Sequence, residues 1–275
     1  MAHAPYEHIT STSNPTIKMM KGLDRKKVRN ETGLFLAEGA RLVVDALKFG
    51  WTPKYILVGQ DTTERSEIKE LLDKCALKGA RILTTSPRIL SAVSRKDNAQ
   101  TVIAAFEQRS QELNTIDVED KARFIALYEV RDPGNLGTIM RTADAAGVDG
   151  VILVNQCCDP FSVESVRATM GALFSTTLVS TDFETFNAWR LSNEINMIAA
   201  SVNGTLRHDE ANYASKSVIL MGNEQSGIPE QAENACDVLV KIPMAGAADS
   251  LNLAQATAIM TYEVWKGAGY DGANL

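Results

Sequence analysis

The sequence predicts an α/β protein of two domains, the second built on a parallel sheet. Three observations lead there. The second half of the chain carries five short, nearly continuous apolar runs, at 124–127, 151–154, 197–200, 218–221 and 238–242, with helical segments between them. Such runs, without polar alternation, read as strands covered on both faces. The first hundred residues alternate amphipathic helices and short strands, enough for a compact α/β domain of about 100 residues. Between the halves lies a polar stretch, 107–121, short of large apolar side chains, which reads as a connection. The expected division is therefore 1–107, a linker at 108–121, and 122–275.

In the first domain, residues 34–48 carry apolar side chains at helical spacing, including Ala40, Val43, Val44 and Leu47, and predict a helix. Residues 55–58 form a short apolar strand. Residues 66–78 place Ile68, Leu71, Leu72 and Cys75 on one helix face. Residues 81–83 and 101–106 supply further strands. In the second domain, ligands should gather at the carboxyl ends of the parallel strands. The loops after Leu127, Met221 and Ile242 are therefore the ones to inspect.

The first of these loops is Asp132-Pro133-Gly134-Asn135-Leu136-Gly137, leading into a helix with Asn135 or Thr138 as candidate N-cap and Gly147 as its end. Arg141 sits inside that helix among small and apolar residues. It is either an ordinary surface charge or a group aimed at an anion. The second loop, Gly222-Asn223-Glu224-Gln225-Ser226-Gly227, has glycines that allow close backbone approach and a single carboxylate. It is neither a dinucleotide fingerprint nor a P-loop, which disfavours a dehydrogenase or a triphosphate site. The third is a small-residue loop from Ile242-Pro243-Met244 to Ser250-Leu251-Asn252, followed by a helix that Ser250 or Asn252 would cap.

Composition narrows the function classes. The 275 residues are 45% hydrophobic and 23% charged, which is globular. No apolar run approaches the ~20 residues of a bilayer-spanning helix, and residues 1–18 lack a signal-peptide core, so the expected location is cytoplasmic. The four cysteines show no zinc spacing, and reduced structural thiols with no metal are expected. A net charge of −6 argues against nucleic acid, with one local exception. Lys18, Lys21, Arg25, Lys26, Lys27 and Arg29 crowd a stretch in which Asp24 is the lone counter-charge. That stretch is either a solvated helix face or a phosphate-contacting surface.

Taken in order, Asn135-x-Gly137-x-x-x-Arg141, Gly222-x-Glu224-x-x-Gly227 and Ile242-Pro243-Met244 with Ser250-Leu251-Asn252-Leu253 resemble the three signature motifs of SpoU/TrmH RNA methyltransferases. Residues 166–174 also look like a family segment. Asn14-Pro15, Lys18, Arg29, Gly33, Phe35, Glu38-Gly39 and Arg41 resemble the L30e-like substrate-binding domain found in many members.

The resemblance implies a SPOUT fold with a deep trefoil knot. It implies S-adenosylmethionine held against Gly222, Ile242 and Leu251, with Asn223 and Met244 nearby. It also implies a homodimer whose sites form beside the subunit interface. Arg141 would meet the ribose 2′-hydroxyl, either as a tuned base or as a charged group stabilising the forming alkoxide. The second reading is preferred because arginine is a poor base. Asn135 would orient Arg141 or the ribose, and Glu224, Ser250 and Asn252 would complete the pocket. Lys18, Lys26, Lys27, Arg29 and Arg41 would contact RNA. Ribosomal RNA of the 23S class is the expected substrate, with transfer RNA, or a non-catalytic RNA-binding role, as the rivals.

Overall fold

The computed structural model describes residues 6–96 and 99–273. The chain divides into two compact units. One holds Met1–Gln108 together with Asp159–Ser175, the other Arg109–Cys158 together with Thr176–Leu275.

The first unit is a five-stranded sheet with helices. Its strands are β1 (Glu7–Ile9), β2 (Leu34–Glu38), β3 (Tyr55–Gly59), β4 (Arg81–Thr85) and β5 (Val102–Glu107), in the order β1-β4-β3-β5-β2. β1, β4 and β3 run parallel, and β5 is antiparallel to both β3 and β2. The helices are α1 (Pro15–Gly22), α2 (Lys26–Thr32), α3 (Ala40–Lys48), α4 (Ser66–Leu77) and α5 (Pro87–Ser94). Asn14 caps α1, its side chain accepting from Thr16 N at 2.8 Å.

The single helix expected at 34–48 is in fact a strand followed by a helix. Leu34 to Ala37 are buried on both faces, which suits a strand, and Gly39 breaks the chain with φ 109° before helical periodicity begins.

Residues 159–175, counted by sequence in the second domain, complete this first unit. The Phe161 ring lies 5.0 Å from Phe35, and Phe174 lies 5.1 Å from Phe106 and 5.3 Å from Trp51. Trp51 Nε1 donates to Phe174 O at 3.0 Å. Rings of this size bury large apolar areas, and edge-on or tilted pairs add about 0.5–1.5 kcal/mol each beyond that burial. Polar ties add to them: Arg167 donates to both oxygens of the buried Glu38 carboxylate at 2.7 and 2.8 Å.

The second unit is a seven-stranded sheet. Its elements are β6 (Arg123–Tyr128), α6 (Pro133–Ala145), β7 (Gly150–Val154), β8 (Leu178–Thr181), α8 (Phe183–Ser192), β9 (Asn196–Ala200), β10 (Leu206–Arg207), β11 (Ser217–Met221), α9 (Glu230–Asn234), β12 (Val238–Lys241) and α10 (Leu253–Gly267), while α7 (Val163–Ala168) lies in 159–175 and belongs to the first unit. The order is β10-β12-β9-β11-β6-β7-β8, and every pairing is parallel.

All five expected strands are present. β8 escaped the sequence reading because only Leu178 and Val179 are apolar and buried, and β10 is two exposed residues. The polar stretch before β6 is not a free linker. Leu113 is buried, Ile116 and Val118 pack on the same core, and Gln111 N donates to Leu178 O at 2.9 Å. Among the described residues, no helix is long and apolar enough to cross a membrane.

The strand order positions the site. β12, β9, β11 and β6 are consecutive neighbours, so the loops after their carboxyl ends lie side by side.

Candidate active site

The loop after β6 begins with Glu129 in the left-handed region, φ 51°. Asp132, rather than Asn135 or Thr138, caps α6, its carboxylate accepting from Asn135 N at 2.6 Å, and Pro133 follows at the first helical position. The cap explains the motif's asparagine: with Asp132 serving the backbone, the Asn135 side chain is free to bond elsewhere.

The loop after β11 closes on itself. Asn223 and Gly227 exchange backbone hydrogen bonds of 2.9 Å each way. A Cβ on Gly222 would stand 2.3 Å from the Gly227 carbonyl carbon, and Gly227 itself has φ 69°. The Asn223 side-chain carbonyl accepts from Gln225 N and Ser226 N, while its amide donates to Glu129 O at 2.8 Å. Asn223 thus staples the second loop to the end of β6.

Glu224 is the junction. Its Oε1 accepts from Asp132 N and from the Asn135 side-chain amide, both at 3.1 Å, and its Oε2 accepts from Arg131 N at 3.1 Å. Burial pushes its pKa up, but hydrogen bonds from the backbone and from Asn135 outweigh burial and hold it below the usual carboxylate value. Glu224 is therefore an ionised acceptor, not a proton donor, near neutral pH.

From the third loop, Asn252 caps α10 by accepting from Ala254 N at 2.9 Å and donates to Asn135 Oδ1 at 2.9 Å. Asn252, Asn135 and Glu224 form one hydrogen-bonded chain across three loops far apart in sequence.

These loops wall an open cleft of about 1140 Å³. Asn135, Gly222, Asn223, Glu224, Ile242, Met244, Ser250, Leu251 and Asn252 all line it. Arg141 does not. It is exposed on α6, six residues beyond Asn135, or about 9 Å along the helix axis. The sequence reading missed Arg131, Ser201, Asn203, Glu233 and Lys241, which also line the cleft. Arg131 adjoins the first motif and was legible as its neighbour. Ser201 and Asn203 follow β9, whose place beside β11 no local pattern reveals.

In the first unit, Lys18, Lys26, Lys27 and Arg41 are exposed. Lys27 and Arg41 pair loosely, at 3.9 Å, with Glu31 and Asp45. Arg29 corrects the expectation of an RNA-contacting residue. It is 3% exposed, it pairs with Asp159 at 2.6 Å, and it donates to Leu23 O and Asp24 O at 2.8 Å. Its place in the N-terminal motif reflects the docking of 159–175, not phosphate.

A parallel sheet whose adjacent strand-end loops build one backbone-rich, hydrogen-bonded cleft defines a ligand-binding α/β enzyme domain. Residues 122–262 match the SpoU rRNA Methylase family, and residues 14–104 match the MRM3-like substrate binding domain. The chain is 30% identical over 259 residues to the 23S rRNA (guanosine(2553)-2'-O)-methyltransferase RlmP of Bacillus subtilis, covering 94% of this chain and 99% of that protein. It is 28% identical to the 23S rRNA (uridine(2479)-2'-O)-methyltransferase of Streptomyces viridochromogenes, covering 88% and 85%. The crystal structure of AdoMet bound rRNA methyltransferase from Sinorhizobium meliloti superposes with a TM-score of 0.89 at 41% identity, covering 95% of this chain and 98% of that one. The chain belongs to the SpoU rRNA methylase family.

Proposed function

We propose that this protein transfers a methyl group from S-adenosylmethionine to a ribose 2′-hydroxyl in RNA, with 23S ribosomal RNA as the substrate class. The observation that carries the reading is the Asn252–Asn135–Glu224 chain, which joins all three motif loops around one cleft. The relatives' named activities and the AdoMet-bound neighbour support the donor and the RNA class.

The cleft suits such a donor. It has room for a nucleoside joined to an amino acid. Its wall mixes backbone and apolar surface at Ile228, Ile242 and Leu251 with the carboxylates of Asp132, Glu224, Glu233 and Asp249 against the cations Arg131 and Lys241, an acidic balance that favours a cationic ligand over a polyphosphate. When bound, S-adenosylmethionine supplies an already activated methyl group.

The chain's own task is alignment and charge stabilisation. Asn135, held at both ends of its amide, fixes one wall. The Arg141 guanidinium stabilises the negative charge that develops on the 2′-oxygen as its proton passes to solvent. Because Arg141 lies outside its own protomer's cleft, the reading includes a homodimer in which each Arg141 serves the partner's cleft. It also includes the trefoil knot of the SPOUT fold and a cytoplasmic location. Lys18, Lys26, Lys27 and Arg41 hold RNA phosphates on the first unit.

The test is deletion of the gene followed by mapping of 2′-O-methyl positions across all stable RNAs. Loss of one 23S position, restored by the purified protein with S-adenosylmethionine, is expected. An unchanged ribosomal map with a position lost from transfer RNA would move the substrate class. No lost position anywhere, with no transfer in vitro, would end the reading.

A further inference from the structure

On the other side of β11 from the Glu224 junction, the cleft has a second hydrogen-bonded wall that neither the motifs nor the proposed mechanism uses. It follows the end of β9. Ser201 N donates to Val240 O at 2.9 Å, and Gly204 N donates to Ser201 O at 3.1 Å. A Cβ on Gly204 would stand 2.4 Å from the Val240 carbonyl carbon, so this turn lies flush against β12. Onto it reaches Glu233 from α9. The Ser201 hydroxyl donates to Glu233 Oε1, and the Asn203 side-chain amide donates to Glu233 Oε2 at 3.0 Å. Asn203 N in turn donates to Ser201 Oγ at 3.1 Å. Ser201, Asn203 and Glu233 all line the cleft.

The donors are shared evenly between the two carboxylate oxygens. An ionised carboxylate has about four acceptor positions, so roughly one remains on each oxygen. Two adjacent acceptors on a rigidly held carboxylate are complementary to two adjacent O–H donors, which is the arrangement of a ribose cis-diol. In dinucleotide-binding α/β sheets an acidic side chain likewise accepts from a ribose hydroxyl.

We propose that Glu233, oriented by Ser201 and Asn203, is the ribose-recognition group of this cleft, accepting both hydroxyls of a nucleoside cis-diol. The inference rests on the reading that S-adenosylmethionine binds here, and the diol is then that of its adenosyl group. Glu233 is a binding residue, and Ser201 and Asn203 are positioning residues.

A thermodynamic cycle tests it. The full-length protein and Glu233→Gln are titrated by calorimetry with 5′-methylthioadenosine, with its 2′,3′-dideoxy analogue, and with S-adenosylmethionine. Wild type should prefer the diol ligand by about tenfold or more, the size expected for hydrogen bonds to a charged acceptor. E233Q should lose most of that preference while binding the dideoxy analogue almost as wild type does. Equal weakening of both methylthioadenosine ligands would make Glu233 a structural staple and overturn the proposal. Weakening confined to S-adenosylmethionine would direct the carboxylate to the amino-acid end and also overturn it. Should E233Q fail to fold, Glu233→Asp, which retracts the carboxylate, is read in the same way. If wild type binds S-adenosylmethionine but shows no diol preference, this inference alone fails. If it binds none of the three ligands, the donor assignment fails with it.

Discussion

Asn135 and Glu224 stand 89 residues apart in sequence and share a hydrogen bond of 3.1 Å from the Asn135 amide to Glu224 Oε1. The same carboxylate receives the backbone N–H groups of Arg131 and Asp132. One side chain therefore sets the distance between the loops after β6 and β11, and those loops are walls of a single cleft.

Glu224→Gln replaces one acceptor oxygen with a donor and sets an N–H against another N–H. Both loops should loosen. Affinity for S-adenosylmethionine should fall about tenfold, as expected when a charge-assisted bond to a partly exposed group is lost. Calorimetry on the variant checks it, and wild-type affinity would remove Glu224 from the machinery.

The same hydrogen bonds give stability a pH dependence. The folded-state pKa of Glu224 lies below the ordinary 4.5, because the hydrogen bonds it accepts outweigh its burial. A depressed carboxylate pKa contributes stability that is complete above the unfolded value and is lost as pH falls through the folded one. Wild type and Glu224→Gln should therefore differ most in urea midpoint near neutral pH and converge on acidification below 4.5. A gap that stays constant across that window would contradict the assignment.

Arg29 and Lys26 share the basic N-terminal stretch but should behave oppositely. Arg29→Ala leaves Asp159 without its partner in a nearly dry setting, and breaking such a pair costs about 3–5 kcal/mol. Lys26→Ala and Lys27→Ala touch exposed side chains and should change stability by less than about 0.5 kcal/mol. Yet the lysine pair should flatten the salt dependence of RNA binding, by a slope of roughly 0.7–0.9 for each phosphate no longer neutralised. Chemical denaturation and binding titrations across salt separate the two effects.

The contrast shows what a sequence can convey. Apolar runs announced β6, β7, β9 and β11 because a strand covered on both faces must be apolar throughout, and β12 through Val238, Leu239 and Val240 although it is only half covered. Motif order announced most of the cleft, since Gly222, Glu224 and Asn252 are residue types with few substitutes in their roles. The strand at 34–38 was hidden because Leu34, Leu36 and Ala37 fit a helix face as well as a buried strand. Arg29 was misread because charge is visible in sequence and burial is not. Its partner, Asp159, lies 130 residues away.

Gly222→Ala tests the tight loop directly. The added methyl would meet backbone at 2.3 to 2.6 Å, with no flexible side chain to move aside. A strained or shifted loop costing about 1–3 kcal/mol is expected, together with loss of S-adenosylmethionine binding. A variant that binds normally would mean the loop after β11 can open without consequence for the cleft.

Arg141 poses the sharpest test, because it is exposed and absent from its own cleft. Arg141→Ala should leave stability within about 0.5 kcal/mol of wild type and leave S-adenosylmethionine binding intact, while abolishing methyl transfer. Asn135→Ala should also be inactive, for a different reason: its cleft wall is broken. In a mixed dimer of the two variants, the R141A subunit has an intact cleft and its N135A partner supplies the arginine. Random exchange should then restore up to about a quarter of wild-type activity, since half the dimers are mixed and each has one competent site. If Arg141 acted within its own protomer, no combination of the two chains would hold a complete site, and the mixture would stay as inactive as its parts.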